Sequence, residues 1–283
     1  GGYDFWLVKT DSAGTMKWSQ HYGLAYDDEA WSIVQTTDGG YAIAGCIGSF
    51  GGATDFWLVR TDEYGNIQWN QTYGGFGYQR ARCVVKTTDS GYAIAGGTNY
   101  PGYGFLVVKT GSSGNEQWNQ TYNGADYNEA FSIVQTTDGG YAIAGITWPH
   151  GGSNYQIRLV KTNSAGNKQW DKTYGGSGEE RAHSVVQTSD GGYAMVGYTD
   201  SFSPDGKNDL WLIKTDSSGN TEWDGHFGGS ENDEGWDVIQ SSDGNYVSTG
   251  YTESSYPNVW LIKVKPPLPP LPPPPPSVGG FDI

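Results

Sequence analysis

Short apolar runs alternate with glycine-rich polar turns along most of the chain. The runs hold four to six residues and are rich in β-branched and aromatic types, as at 41–45 and 56–60. Runs of this length and composition favour β-strands over helices. The turns between them carry Asp-Gly-Gly at 38–40 and Asp-Ser-Ala-Gly at 11–14. Because Gly accepts positive φ and Asp bonds its own backbone, both turns predict β-hairpins.

Three landmark residues recur with nearly fixed spacing, which is the signature of a repeat protein. A tryptophan recurs at Trp18, Trp69, Trp118, Trp170 and Trp223. A tyrosine recurs at Tyr41, Tyr92, Tyr141, Tyr193 and Tyr246. A basic residue closes an apolar run at Lys9, Arg60, Lys109, Lys161, Lys214 and Lys263. The basic residue precedes the tryptophan by 9 residues and the tryptophan precedes the tyrosine by 23 in all five cases, whereas the step from tyrosine to the next basic residue varies from 17 to 21. The length variation therefore falls in one connection per repeat.

Each repeat is predicted to form four antiparallel strands, named a to d. In the first full repeat, strand a is 30–35, strand b is 41–45, strand c is 56–60 and strand d is 67–73. Four short antiparallel strands recurring about every fifty residues are typical of a β-propeller, because stacked blades bury faces that one blade leaves exposed. We therefore predict an all-β fold, a β-propeller of four-stranded antiparallel blades, over residues 1–265.

The number of blades follows from counting strands. Strands a and b occur five times, strand c six times and strand d five times. Six blades with an incomplete first blade are expected, with a d–a–b segment preceding Gly1. Five blades are the alternative, in which c and d of the first unit pair with a and b of the last and one c strand is left over. A third possibility is that a neighbouring molecule supplies the missing strands.

One sequence pattern carries a resemblance to a known family. It comprises Gly-Tyr-Asp-Phe-Trp-Leu-Val-Lys-Thr-Asp-Ser-Ala-Gly at 2–14, Lys-Trp at 17–18, Asp-Asp-Glu-Ala at 27–30 and Asp-Gly-Gly-Tyr-Ala-Ile-Ala-Gly at 38–45. The pattern resembles the secreted β-propeller repeat (SBBP-type) of archaeal and bacterial surface proteins, over residues 1–265. The resemblance implies a propeller at the cell surface and no particular ligand. The pattern lapses where Gly111 replaces the turn Asp and where 105–108 lacks the Trp.

A proline-rich tail follows the last repeat. Residues 266–276 read Pro-Pro-Leu-Pro-Pro-Leu-Pro-Pro-Pro-Pro-Pro, which predicts a polyproline II stalk of about 34 Å at ~3.1 Å per residue. A docking peptide for an aromatic groove is the competing interpretation. The extension 277–283 resembles the segment that follows such stalks in archaeal surface proteins. It also echoes residues 1–5, so strand or tail donation to a neighbouring subunit is a further hypothesis.

Charge and composition narrow the choice of partners. The net charge of -15 disfavours nucleic acid and anionic membranes, because the long-range field repels both. No apolar run approaches the ~18 residues that a membrane helix needs, and no signal peptide is visible. Cys46 and Cys83 are expected to be two small thiols, with a disulfide between neighbouring blades as the alternative.

Candidate binding residues concentrate on one predicted face. The d–a and b–c connections share that face, and exposed variable loops on a rigid frame commonly bind ligands. Aromatic residues in or beside the b–c loops suit sugar rings, with packing within their own loops as the alternative; the candidates are Tyr100, Trp148, Tyr155 and Tyr256. The position after the strand-a alanine either rings the channel mouth or packs between blades; it holds Trp31, Arg82, Phe131, His183 and Trp236.

Metal and catalytic chemistry find less support. The d–a loops are acidic, as at 27–29 and 231–234, and calcium is conceivable there. No Asp-x-Asp-x-Asp-Gly loop is present, so a solvated acidic face is expected, with no cofactor. His21 and His226 stand where other repeats carry Thr and are expected to be surface substitutions. No Ser-His-Asp arrangement can be argued, although a paired-carboxylate glycosidase or lyase remains the alternative.

Two glycosylation sequons, at Asn70 and Asn119, fall in outermost strands and are compatible with an extracellular setting. Together these observations predict a non-catalytic extracellular or cell-surface propeller, a structural, adhesive or self-assembling protein that binds another surface protein or a glycan through its b–c loop face. A polysaccharide-directed hydrolase or lyase on the same scaffold is the alternative function.

Overall fold

The computed structural model describes residues 2–49, 51–124, 127–148, 151–152, 154–253 and 258–267. These ranges contain 21 β-strands and no helix. The first eleven are β1 (Phe5–Thr10), β2 (Met16–Tyr22), β3 (Glu29–Gln35), β4 (Tyr41–Gly48), β5 (Thr54–Thr61), β6 (Ile67–Tyr73), β7 (Gln79–Lys86), β8 (Tyr92–Thr98), β9 (Gly104–Thr110), β10 (Glu116–Asn123) and β11 (Tyr127–Gln135). The remaining ten are β12 (Tyr141–Trp148), β13 (Gln156–Thr162), β14 (Lys168–Tyr174), β15 (Glu180–Gln187), β16 (Tyr193–Thr199), β17 (Asp209–Thr215), β18 (Thr221–Phe227), β19 (Asp233–Gln240), β20 (Tyr246–Thr252) and β21 (Asn258–Val264).

The strands form six antiparallel sheets in chain order. Four sheets are complete four-stranded meanders, β3–β6, β7–β10, β11–β14 and β15–β18. The first sheet contains only β1 and β2, and the last contains β19, β20 and β21. The prediction of an all-β propeller with four-stranded antiparallel blades is confirmed. Because β1–β2 and β19–β21 are separate sheets, the described strands do not form the composite blade of the five-bladed alternative, and the number of blades in a closed ring stays a prediction.

The landmark tryptophan and tyrosine meet across the boundary between sheets. The Trp118 ring lies edge-on to the Tyr141 ring of the next sheet, with centroids 5.7 Å apart. Trp170 and Tyr193 make the same contact at the next boundary. The two landmarks therefore belong to one packing unit, which explains why the spacing between them never varies.

The landmark basic residue forms a hydrogen bond with the aspartate of the a–b turn. The Lys161 ammonium is buried and bonds the Asp138 carboxylate of its own a–b turn and the Thr162 carbonyl. Burial acts to raise the pKa of Asp138, but hydrogen bonds from Lys161 and Thr136 outweigh it and hold the pKa at about 2. The equivalent Lys263 of the last sheet pairs with Asp243 and is half exposed.

The apolar core is divided into layers between neighbouring sheets. At one boundary, Ala93 and Ala95 of β8 and Phe105 of β9 pack against Ile133 of β11 and Ile143 of β12. Small residues on one surface let the larger side chains of the next sheet approach closely, so the layer contains interlocking side chains. The a strands of consecutive sheets also lie next to one another, which makes strand a the innermost strand and strand d the outermost.

Candidate ligand-binding face

The d–a and b–c connections lie side by side, as their order in the chain predicts. The amide of Tyr78 in a d–a connection donates to Asn99 Oδ1 in a b–c connection at 2.7 Å, and the Asn99 amide donates back to the Tyr78 carbonyl at 3.2 Å. The Glu180 amide likewise donates to the Tyr155 carbonyl at 3.0 Å. Hydrogen bonds between the two kinds of loop hold this face together.

The residues after the strand-a alanines, and after the equivalent Gly235 of the last sheet, form one continuous row across five sheets. The Arg82 guanidinium lies 4.1 Å from the Trp31 ring centroid and 5.8 Å from that of Phe131. The His183 ring lies 5.7 Å from Phe131 and stacks on Trp236 at 4.3 Å. The side chains therefore pack across the boundaries between neighbouring sheets, and their place at a channel mouth stays a prediction. Only the two terminal tryptophans of the row are half exposed.

The buried carboxylate of Glu129 links this row to the loops above it. Its Oε1 accepts from Arg82 Nε at 2.7 Å, and its Oε2 accepts from the Tyr127 hydroxyl at 2.7 Å. Burial, with a smaller contribution from Glu129, raises the pKa of Tyr127, so this tyrosine is a neutral hydrogen-bond donor. Both oxygens of Glu129 already have partners, and the carboxylate therefore positions its neighbours.

A row of aromatic rings crosses the loops above the boundary between β7–β10 and β11–β14. Tyr103 and Tyr127 have centroids 5.1 Å apart, and Tyr127 lies 5.9 Å from Tyr155. Tyr155 in turn lies 5.1 Å from Trp148. The Arg181 guanidinium stacks over Tyr155 at 5.0 Å. Aromatic faces are thus presented next to hydrogen-bonding groups.

A shallow pocket of about 210 Å³ opens beside this row. We call it the tyrosine pocket; its walls include Tyr78, Arg80, Asn99, Tyr103, Tyr127 and Glu129. Tyr78 and Tyr103 are both nearly half exposed, so their faces are accessible from solvent. The pocket combines two accessible aromatic rings with amide, guanidinium and carboxylate groups.

The predicted loop residues fall in three different places. Trp148 and Tyr155 belong to the aromatic row, where they pack on other loop residues, and the Trp148 Nε1 donates to the Gly152 carbonyl at 2.8 Å. Tyr100 lies apart from the row, edge-on to Phe76 with centroids 5.9 Å apart. Tyr256 lies outside the described residues.

The tyrosine pocket was not predicted from the sequence. Tyr78 lies in a d–a connection, and in these connections only the acidic residues were considered as candidate ligands. A second signal was present at the first position of strand β3 and its equivalents, where acidic and basic residues alternate from sheet to sheet as Glu29, Arg80, Glu129, Arg181 and Glu234. This alternation in the innermost strands could have pointed to the channel rim.

His183 and Arg181 have buried nitrogens that lack a hydrogen-bond partner within the described part of the chain. These are the Arg181 Nε and the His183 Nε2. Burial, followed by the nearby Arg181 charge, lowers the pKa of His183 to about 4. The imidazole is therefore neutral at physiological pH.

The expectation that the acidic d–a residues form a solvated face is wrong for several of them. Asp28 is buried and accepts from the amides of Leu24 at 2.7 Å and Gly48 at 2.8 Å. Asp233 and Glu180 are buried as well. These carboxylates cap loops, because each satisfies backbone amides or hydroxyls that the turn would otherwise bury unpaired. Within the described ranges, no group of three or more His, Cys, Asp or Glu side chains could hold a metal ion.

The cysteines and surface histidines are not assembled into a reactive site. Cys46 and Cys83 are free thiols, and burial raises the pKa of both; the alternative of a disulfide between blades is therefore not realised. His21 is exposed and stacks on Trp6 at 5.9 Å. His226 is also exposed and lies 3.2 Å from Asp224. Both positions agree with surface substitution.

The two sequon asparagines lie on the outermost strands. Asn70 is in β6 and Asn119 is in β10, and both residues are exposed. Asn70 Oδ1 accepts from Trp57 Nε1 at 3.2 Å, and Asn119 Nδ2 donates to Glu116 Oε1 at 2.6 Å. Modification of either residue stays a prediction.

Comparison with known proteins supports the fold alone. No family model and no curated protein matches the chain. A solved structure from Dyadobacter fermentans, described as a protein of unknown function, is 12% identical, covers 89% of this chain and 79% of its own, and has a TM-score of 0.54. A glucose dehydrogenase is 11% identical, covers 94% and 91%, and has a TM-score of 0.53. A second glucose dehydrogenase structure is 11% identical, covers 85% and 83%, and has a TM-score of 0.51.

The class of this protein is therefore a β-propeller with four-stranded antiparallel blades. At these identities the similarity carries no information on activity. Within the part of the chain that is described, no helix is long and apolar enough to cross a bilayer.

Proposed function

We propose that this chain is a non-catalytic extracellular or cell-surface propeller that binds a glycan at the tyrosine pocket. The observation that carries the proposal is the combination in that pocket of two half-exposed rings, Tyr78 and Tyr103, with the polar side chains of Arg80 and Asn99. The C–H face of a sugar stacks on an aromatic ring while polar groups bond its hydroxyls. The adjoining aromatic row extends the same chemistry for further sugar units.

The rigidity of the surroundings supports binding as the function. The pocket lies over a boundary whose alanine, phenylalanine and isoleucine side chains are fully packed. Tyr127 is fixed by its hydrogen bond to Glu129, so it is already ordered before a ligand arrives. A preorganised site loses less conformational entropy on binding.

The non-catalytic role rests on the state of the pocket carboxylate. Glu129 accepts hydrogen bonds on both oxygens from Arg82 and Tyr127. A glycosidase needs one carboxyl group free to donate a proton and a second free to attack or to activate water. Extracellular display is supported by the exposed sequons at Asn70 and Asn119.

The proposal is tested with a glycan array followed by calorimetry on the ligands that bind. Tyr103→Ala is expected to weaken binding roughly two- to twelvefold, since a stacking contact on an aromatic ring is worth about 0.5–1.5 kcal/mol. Tyr64→Ala is the matched control, because Tyr64 is exposed in a c–d turn away from the pocket. An array without ligands, equal loss in both variants, or release of sugar products would each contradict the proposal.

A further inference from the structure

In the described part of the chain, the c strand of the first sheet has an unpaired edge, unlike the c strands of the complete sheets. Within the described residues β1 pairs only with β2. In each complete sheet the equivalent c strand pairs on its other edge with a b strand, as β5 does with β4. An exposed strand edge is a template for an added strand.

The side chains around this edge are exposed where their equivalents are buried. Trp6 of β1 is 63% exposed, whereas the equivalent Trp57 of β5 is 4% exposed. Ile33 of β3 is 47% exposed, whereas the equivalent Ile133 of β11 is 2% exposed. Between β1 and β3 lies a groove of about 220 Å³. We call it the hairpin groove; its walls include Trp6, Leu7, Trp31, Ser32, Ile33 and Ile43.

The complete sheets indicate what fits such a groove. Between β3–β6 and β7–β10, the alanines Ala42 and Ala44 of β4 lie in one cluster with Val84 of β7 and Ile94 of β8. Val84 and Ile94 are the repeat equivalents of two walls of the hairpin groove, Ile33 and Ile43. The floor of the groove is therefore shaped for the small side chains of a b strand.

The register of the added strand also follows from the complete sheets. Ile43 of β4 pairs with Val59, Ala44 with Leu58 and Gly45 with Trp57 of β5. A strand placed on β1 in the same register would set its isoleucine, alanine and glycine opposite Val8, Leu7 and Trp6.

We propose that the hairpin groove binds a β-hairpin of the chain's own a–b type, with small apolar residues at alternate positions of its b strand. The hairpin adds its b strand to the free edge of β1 and covers Trp6, Trp31 and Ile33. This site is separate from the tyrosine pocket, and the proposal is independent of glycan binding.

The probe is a dye-labelled synthetic hairpin of residues 29–48 with Cys46→Ser, titrated with the 283-residue chain and followed by fluorescence anisotropy. Saturable binding is expected, together with slower hydrogen exchange in β1. Ile33→Asp in the protein is expected to weaken binding at least tenfold. Ile67→Asp is the matched control and is expected to bind as the wild type does, because Ile67 is equally exposed, at 48%, on the outermost strand β6.

The peptide supplies a second pair of variants that leave the protein unchanged. Ala44→Arg in the hairpin places a long charged side chain on the groove floor and is expected to abolish binding. Thr37→Arg lies in the hairpin turn and is expected to be tolerated.

Three results would overturn the proposal. The first is the absence of saturable binding, and the second is binding that Ile33→Asp and Ala44→Arg leave unchanged. The third is a dimer of the chain that dissociates in the Ile33→Asp variant and with which the hairpin does not compete. That result would show that a second copy of the chain covers this surface.

Discussion

Replacing Lys161 by methionine tests how the landmark basic residue stabilises each blade. The Lys161 Nζ donates to Asp138 Oδ2 at 2.8 Å, to the Thr162 carbonyl at 2.7 Å and to Gln169 Oε1 at 3.1 Å. Methionine has a similar length but cannot donate a hydrogen bond. The Thr162 carbonyl and the Gln169 side chain therefore lose a charged donor.

The expected loss of unfolding free energy is about 2 kcal/mol. Hydrogen bonds to charged groups contribute ~1.5–3 kcal/mol each in mutational series. Only the bond to the Thr162 carbonyl is counted, because Thr162 is fully buried and its carbonyl finds no new donor, whereas Gln169 is exposed and water replaces the ammonium there. The Asp138 side chain is 52% exposed, so water replaces its lost partner and we add nothing for it.

Urea unfolding followed by tryptophan fluorescence measures this difference, and calorimetry should show a melting temperature lower by roughly 4 °C. Lys263→Met is the matched control. Lys263 occupies the same repeat position but is 54% exposed and pairs with Asp243, so a loss of only about 0.5 kcal/mol is expected. Equal losses in the two variants, or no loss in Lys161→Met, would refute the role assigned to the buried ammonium.

Three further outcomes follow from the same structure. Lowering the pH from 5 to 2 should decrease the urea midpoint, because the pKa values of Asp38 and Asp138 are lowered to about 2 in the folded protein. A carboxyl group whose pKa is lower in the folded than in the unfolded state stabilises the fold above its unfolded pKa of ~3.9. That stabilisation is lost as the pH falls through the folded-state pKa. Tyr122→Phe should destabilise by ~1–2 kcal/mol in urea, because the buried Tyr122 hydroxyl donates to a turn carbonyl of the next sheet at 2.7 Å, while Tyr64→Phe should change little. The His183 imidazole should stay neutral down to pH 5 in an NMR titration, since its pKa is lowered to about 4.

Each of these outcomes has a clear opposite. A urea midpoint that rises between pH 5 and 2 would contradict the turn carboxylates as stabilising anions. Equal stability of the Tyr122 and Tyr64 variants would show that the bond between sheets adds nothing. Protonation of His183 near pH 6.5 would mean that its ring is hydrated.

The repeat architecture could be predicted because local sequence patterns specify it. Turn residues, strand length and the fixed spacing from Trp118 to Tyr141 all report on short-range geometry or on one repeated contact. The six sheets follow directly from these signals. The role of the basic landmark as the partner of the a–b turn aspartate was not foreseen, since the two residues are 23 positions apart at Lys161 and Asp138.

The candidate site could be predicted only in part, because its contacts cross between sheets. The b–c loops were identified by their variable length, and two of the chosen aromatics, Trp148 and Tyr155, do lie in the aromatic row. Tyr78 was missed because it belongs to a d–a connection. The acidic d–a residues were misjudged as solvated, since the burial of Asp28 depends on a b–c residue, Gly48, that approaches it only in the fold.

The most direct test of the proposed function is a crystal structure of the chain with the tightest glycan from the array. The account predicts a sugar ring stacked on Tyr103 or Tyr78, with its hydroxyls bonded to Arg80 and Asn99. A sugar bound elsewhere on the propeller, with the tyrosine pocket empty, would contradict it.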